Sequence, residues 1–166
     1  MELIIKKRII AWTDSFNVFD ENGNKKYTVK AALISIGRVF RVYDQYNNEV
    51  GTIREKLIKI LPCYYIFVGG EKRGYIKKCL SLFHPVYDIQ FADLRVDGDI
   101  FSWNYDVYNN SGDLVATVRK KIISFVDTYV MDIIDEDYEM EIVMLAVVIE
   151  EITVLNGIND DDDDDD

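Results

Sequence analysis

The chain has 166 residues, short enough for one domain, and 49% of them are apolar, enough to bury a single core. Aromatics make up 13% and there are only two prolines, which excludes a disordered chain and favours strands. Of the net charge of −11, seven charges belong to the run Asp160–Asp166, leaving −4 for the rest. That balance offers no basic excess for sequence-independent nucleic-acid binding. The opening residues Met1-Glu2-Leu3-Ile4-Ile5-Lys6-Lys7-Arg8 put their charges after the apolar patch, and no cleavage site follows, unlike a signal peptide. No apolar run approaches the roughly 20 residues of a membrane-spanning helix. Cys63 and Cys79 are neither closely spaced nor part of a metal-binding pattern, and without an export signal they are expected to be reduced, buried thiols of a cytoplasmic protein.

A hairpin unit recurs along the chain. Phe16-Asn17-Val18-Phe19-Asp20, a turn, Tyr27-Thr28-Val29-Lys30 and Leu33-Ile34-Ser35-Ile36 reappear 24 residues on. The second copy is Phe40-Arg41-Val42-Tyr43-Asp44, Thr52-Ile53-Arg54 and Leu57-Ile58-Lys59-Ile60. A third runs from Tyr105-Asp106-Val107-Tyr108-Asn109 through Val115–Arg119 to Ile122-Ile123-Ser124, and a looser one spans Tyr64–Lys78. Each opens with the period-two alternation of a strand with one buried face. The turns carry Asn22-Gly23, Asn47-Asn48, Gly69-Gly70 and Ser111-Gly112-Asp113, residues that accept the positive φ of tight hairpins. Asp20-Glu21-Asn22-Gly23-Asn24 is superficially like a calcium loop, but its Gly comes too early and Ala31 stands where the twelfth-position Glu belongs.

Twelve strands are predicted near 3–11, 14–20, 26–36, 38–45, 50–60, 63–68, 73–83, 86–92, 94–101, 103–109, 114–126 and 128–134. Consecutive antiparallel strands without crossover helices close most easily into a barrel. One of about twelve strands is too wide for inward side chains alone to fill. The filler is the octet Ile142-Val143-Met144-Leu145-Ala146-Val147-Val148-Ile149, bracketed by Glu139, Glu141, Glu150 and Glu151. A helix apolar on every side must be buried on every side. A buried strand would also accept so many Val and Ile, but Met, Leu, Ala and Glu favour helix. Acids at 135, 137 and 139 suit a helix N-terminus, and Gly157 is a natural stop beyond a helix at 138–152. The expected organisation is a mainly β, twelve-stranded antiparallel closed barrel over 1–158 around that helix, then a disordered acidic tail at 159–166.

With these features the chain resembles the LURP-one-related (LOR) family, especially its bacterial members of the YxjI type, which share the Tubby C-terminal fold. The resemblance rests on Phe16-Asn17-Val18-Phe19-Asp20-Glu21-Asn22-Gly23, on Ile53-Arg54-Glu55-Lys56-Leu57 leading to Pro62, and on Val96-Asp97-Gly98-Asp99 before Tyr105. It continues through Val118-Arg119-Lys120-Lys121 and the closing Leu145-Ala146-Val147-Val148-Ile149-Glu150. It implies a twelve-stranded barrel around a central hydrophobic helix. Tubby domains bind phosphoinositide head groups through basic residues, but those residues do not map onto this chain. The aspartate run departs from the family pattern and would repel anionic lipid within a Debye length.

Chemistry-bearing patterns are few. His84, the sole histidine, has no Gly-x-Ser-x-Gly elbow or cysteine partner, and Asp97 and Asp99 around Gly98 read as turn chemistry. No enzyme, metal or cofactor is expected. Basic pairs recur at Lys6-Lys7-Arg8, Lys25-Lys26, Lys77-Lys78 and Arg119-Lys120-Lys121. Lys77, Lys78, Arg119, Lys120 and Lys121 are the candidate anion or lipid patch. The alternative is solubilising lysine on outward strand positions. The sequence-level expectation is a non-enzymatic binding or scaffold domain, monomeric, with a protein or lipid partner, cytoplasmic or peripheral at the membrane. The alternative function is a peripheral module for anionic phospholipid head groups.

Overall fold

A computed structural model describes residues 1–6, 16–34, 37–58, 61–82, 86–123 and 126–161. Alternation translates into twelve strands in chain order. The first six are β1 (Glu2–Lys6), β2 (Phe16–Asp20), β3 (Lys25–Ile34), β4 (Gly37–Asp44), β5 (Glu49–Ile58) and β6 (Leu61–Val68). The next six are β7 (Glu71–Cys79), β8 (Val86–Phe91), β9 (Arg95–Asp99), β10 (Asn104–Tyr108), β11 (Leu114–Ile123) and β12 (Val126–Ile133). A 3-10 turn, Glu136–Tyr138, leads into the one helix among the described residues, α1 (Glu139–Asp161).

All twelve strands form one sheet in the order β8-β7-β6-β5-β4-β3-β2-β1-β12-β11-β10-β9. The first and last strands of the chain pair antiparallel, Ile4 opposite Val130, and this bends the sheet into a barrel. Hydrogen bonding runs all round except between β8 and β9, which are consecutive in sequence yet stand at the two ends of the sheet. The barrel is thus nearly closed, with one seam.

The hairpin repeat is visible in atomic detail. In three turns the first residue's side-chain oxygen accepts from the backbone N–H two and four residues on. Asp20 accepts from Asn22 and Asn24 at 3.0 and 2.7 Å, and Asp44 from Tyr46 and Asn48 at 2.9 and 2.8 Å. Asn109 accepts from Ser111 and Asp113 at 3.0 and 2.9 Å. The fourth position, Gly23, Asn47 or Gly112, takes φ of 81°, 65° or 87°, a conformation open to Gly and Asn. These bonds hold the Asp20 and Asp44 carboxyls below their usual range, and both serve as turn acceptors.

The core is where the wall meets the helix. Every residue from Ile142 to Ile149 is 1% exposed or less, and Ile152 joins them. Inward wall residues Leu3, Val18, Val42, Ile53, Ile66, Ile76, Val107, Val118 and Met131 close round it. A Cβ on Gly51 would sit 2.6 Å from the Met144 sulfur, so the glycine makes room for the end of the Met144 side chain against β5. The helix runs beyond the expected 138–152, through Gly157 to Asp161. A glycine inside a helix costs only about 1 kcal/mol, too little to stop one already anchored by its buried half. Of the two thiols, Cys63 is buried and Cys79 half-buried, and both are free. His84 lies outside the described residues.

Candidate functional site

The helix enters at the end of the barrel that carries the hairpin turns and points toward the other end. Its bracketing acids meet bases on the wall. Near the entrance Glu139 lies 2.6 Å from Lys26 Nζ and accepts from the Tyr27 hydroxyl at 2.5 Å. Burial and that carboxylate push the Tyr27 hydroxyl far up. Glu141 lies 3.4 Å from Arg73. At the far end Glu151, 6% exposed, lies 2.5 Å from Arg38 Nη1, and the Arg38 backbone N–H donates to Glu55. Burial pushes the Glu151 carboxyl up to about 7, because desolvation outweighs the guanidinium and Glu55 adds a like charge. These groups hold the helix at both ends of the barrel.

Three aromatic polar atoms are buried with no hydrogen-bond partner among the described residues, the hydroxyls of Tyr64 and Tyr105 and the Trp103 indole nitrogen. Burial pushes both hydroxyls well above their usual range. Trp103 stacks on Tyr129 at 4.0 Å between ring centroids. On the outer wall a depression of about 110 Å³ is lined by Glu49, Val50, Gly51, Thr52, Arg54, Phe67 and Gly70. Ligand pockets run to about 300 Å³ or more, so it suits an ion or a few waters. The described residues hold no group of three or more His, Cys, Asp or Glu side chains arranged for a metal. Asp99 accepts from Phe101 and Ser102 backbone N–H groups and the Ser102 hydroxyl, and Asp97 lies 3.4 Å from Arg95. Both acids are engaged locally.

The five candidate basic residues share one end of the barrel, opposite the hairpin turns, but not one face. Lys120 stands in register with buried Tyr129, and Lys78 with Tyr87, so these two point toward the barrel mouth. Lys77, Arg119 and Lys121, one residue away, point outward. Lys77 stands opposite Asp88 in the ladder. Arg119 is held by Asp106 at 2.5 Å and by the Tyr105 and Val118 carbonyls, and Lys121 lies 3.7 Å from Glu2. Between β7 and β11 stand β8, the seam, β9 and β10, more than about 22 Å along the wall with three spacings of ~4.8 Å and a seam beyond 8 Å. Lys25 and Lys26 sit at the other end, beside the helix entrance. The side chain of Lys6 and all of Lys7 and Arg8 lie outside the described residues.

Sequence reading missed the seam. The turn Phe91-Ala92-Asp93-Leu94 has positive φ at both central residues, 51° and 56°, and Leu94 donates to the Phe91 carbonyl at 2.9 Å. This is the arrangement of a primed hairpin turn, yet the flanking strands separate. The Cα atoms of β8 and β9 lie more than 8 Å apart over most of their length. The Tyr87 and Phe101 rings, 6.1 Å apart, approach across the gap in place of hydrogen bonds.

A twelve-stranded antiparallel barrel wrapped around its own hydrophobic C-terminal helix defines a Tubby-like domain. The family described as LURP-one-related matches residues 1–150, and the chain belongs to that family. It is 25% identical over 151 residues to YxjI, an uncharacterised protein of Bacillus subtilis strain 168, covering 90% of this chain and 92% of that one. Its fold is similar to the X-ray structure of an Arabidopsis thaliana protein, with a TM-score of 0.56 at 19% identity, covering 90% and 91% of the two chains. No helix among the described residues is long and apolar enough to cross a membrane.

Proposed function

We propose that the chain is a non-enzymatic binding or scaffold domain that works through its outer surface. The observation that supports this is the filled interior, since Ile142–Ile149 occupy the space where many barrels hold a ligand. The side chains that fill it are apolar or tied to the wall by the Glu139, Glu141 and Glu151 pairs. Purified chain is expected to turn over none of a panel of ester, phosphate and peptide substrates faster than a heat-denatured sample does. Turnover that survives repurification and is lost on denaturation would overturn the reading.

A second reading, a peripheral module for anionic phospholipid head groups, draws on Lys77, Lys78, Lys120 and Lys121 sharing one end of the barrel. Against it stand their division between two faces and the acids beside Lys77 and Lys121. Co-sedimentation with phosphatidylserine or phosphoinositide vesicles, with and without residues 160–166, tests it. Binding by the shortened chain that is lost in K77E/K78E/K120E/K121E supports the lipid reading, and failure of the shortened chain to bind ends it.

A further inference from the structure

We infer that the β8–β9 seam is a docking site for an extended segment of a partner protein, one that alternates apolar and basic residues. The inference rests on the binding-domain reading and names the partner's chemistry. Both strands are sheet ends, so every second backbone N–H and C=O along each points into the gap. Inserting one strand needs about 9.5 Å between the flanking strands, twice the ~4.8 Å spacing. β8 and β9 share no ladder, and their Cα atoms lie more than 8 Å apart over most of the seam, wider than any paired ladder. Free edges are usually blunted by charged side chains, above all lysine, by proline or by shortness. Val86-Tyr87-Asp88-Ile89-Gln90-Phe91 carries a single charge, Asp88, and neither lysine nor proline.

The seam's side chains set what fits. Tyr87 and Ile89 of β8 and Val96 of β9 are half-buried and face inward, so one face of an added strand packs on apolar surface. The outward side presents Asp88, Asp97 and Asp99, with Asp93 in the turn; Asp88 faces Lys77 across the ladder and accepts from Gln90, Asp97 pairs with Arg95 and Asp99 accepts from Ser102, which leaves four carboxylates beside two bases. An added strand therefore places alternate residues beside carboxylates, and lysine or arginine there is matched. The same charges count against other occupants. A second copy brings the same acids, the aspartate run at the C-terminus is repelled, and so is an anionic membrane. The hairpin turn that fails to zip supports the same conclusion. Ala92 takes a left-handed conformation that costs it roughly 1–2 kcal/mol. Strain of that kind concentrates at working sites.

The test uses the full chain and three blocked eight-residue peptides, one alternating valine with lysine, one alternating valine with glutamate, and one of lysine only. Amide hydrogen exchange along Val86–Phe91 and Arg95–Asp99 and fluorescence anisotropy of labelled peptide are read together. The valine–lysine peptide is expected to slow exchange at the seam at least tenfold while the other two leave it unchanged. D88K/D97K, checked for folding by circular dichroism, should weaken that peptide at least tenfold. If that variant does not fold, raising salt with the natural chain should weaken binding to the same extent. Seam exchange unchanged by the valine–lysine peptide, equal protection by oligolysine, or protection by anionic vesicles instead would each overturn the inference. Lack of enzymatic turnover combined with lack of peptide binding removes this inference alone and leaves the binding-domain reading standing.

Discussion

The buried carboxyl of Glu151 makes the stability of this barrel depend on pH in an unusual direction. Its pKa rises from 4.5 to about 7 in the folded chain, chiefly through burial. The folded state therefore holds this proton more tightly than the unfolded chain does. The stability it contributes is fully present below about pH 4.5 and is lost as pH rises through about 7. Between pH 5 and pH 8 the loss is of order 2–3 kcal/mol, a sizeable share of the stability of a small domain. The lowered carboxyls of Asp20, Asp44 and Asp99 titrate below 3.8 and do not contribute in this window. Glu151→Gln keeps an acceptor for Arg38 and removes the titration. Urea denaturation followed by tryptophan fluorescence at pH 5, 6, 7 and 8 should give curves for the two proteins that diverge by about 2–3 kcal/mol over the range. Comparing the two cancels every titration they share. Parallel pH profiles would refute the buried-acid account.

Other perturbations test the core and the wall. Ala146→Asp puts a carboxylate at a fully enclosed position, costing several kcal/mol, and should leave no cooperative unfolding transition; a soluble variant with native circular dichroism would contradict the helix-filled barrel. Gly74→Ala drives a Cβ to 2.0 Å from the Gln90 carbonyl oxygen at a φ of 156°, so β7 and β8 must part, with a loss of about 1–3 kcal/mol and faster amide exchange in β8. Tyr105→Phe removes a buried hydroxyl with no partner among the described residues and should leave the melting temperature unchanged or raised, whereas a fall of several degrees would show that the hydroxyl is satisfied. Replacing two wall pairs together, K26M with E139L and R38M with E151L, should keep or raise stability but broaden the methyl NMR signals of Ile142–Ile149; a single sharp set would show that the acids do not fix the helix.

The fold was legible because both of its periods are written in apolar residues. Alternation located all twelve strands, the 24-residue recurrence placed the Asp20 and Asp44 turns in equivalent roles, and the uninterrupted octet required enclosure. What escaped was set by pairing across the barrel. Nothing local links Arg38 to Glu151, 113 positions apart. Gly157 misled because the signal for a helix stop is local, whereas the helix is anchored by its tertiary burial. The basic residues were grouped by adjacency, although neighbours on a strand face opposite ways, so Lys77 and Lys78 were bound to separate. That much a stricter use of the two-residue period would have found. The seam left no such trace. Val86–Phe91 alternates like any strand, and Ala92-Asp93 lacks the Asn-Gly signature, so neither the hairpin turn nor its failure to zip is marked.

Burial alone does not determine where the helix sits. An octet apolar on every side gains nearly the same energy at any rotation about its axis. A shift of one residue along the bore moves it only about 1.5 Å. The same shift turns it by about 100°, which carries the half-buried Glu139 away from Lys26 and Tyr27 and leaves the buried Glu151 without Arg38. Breaking a buried pair costs about 3–5 kcal/mol, far more than the net worth of the pair when intact. Depth and rotation are therefore set by penalties at the two ends, while the apolar middle supplies the cohesion.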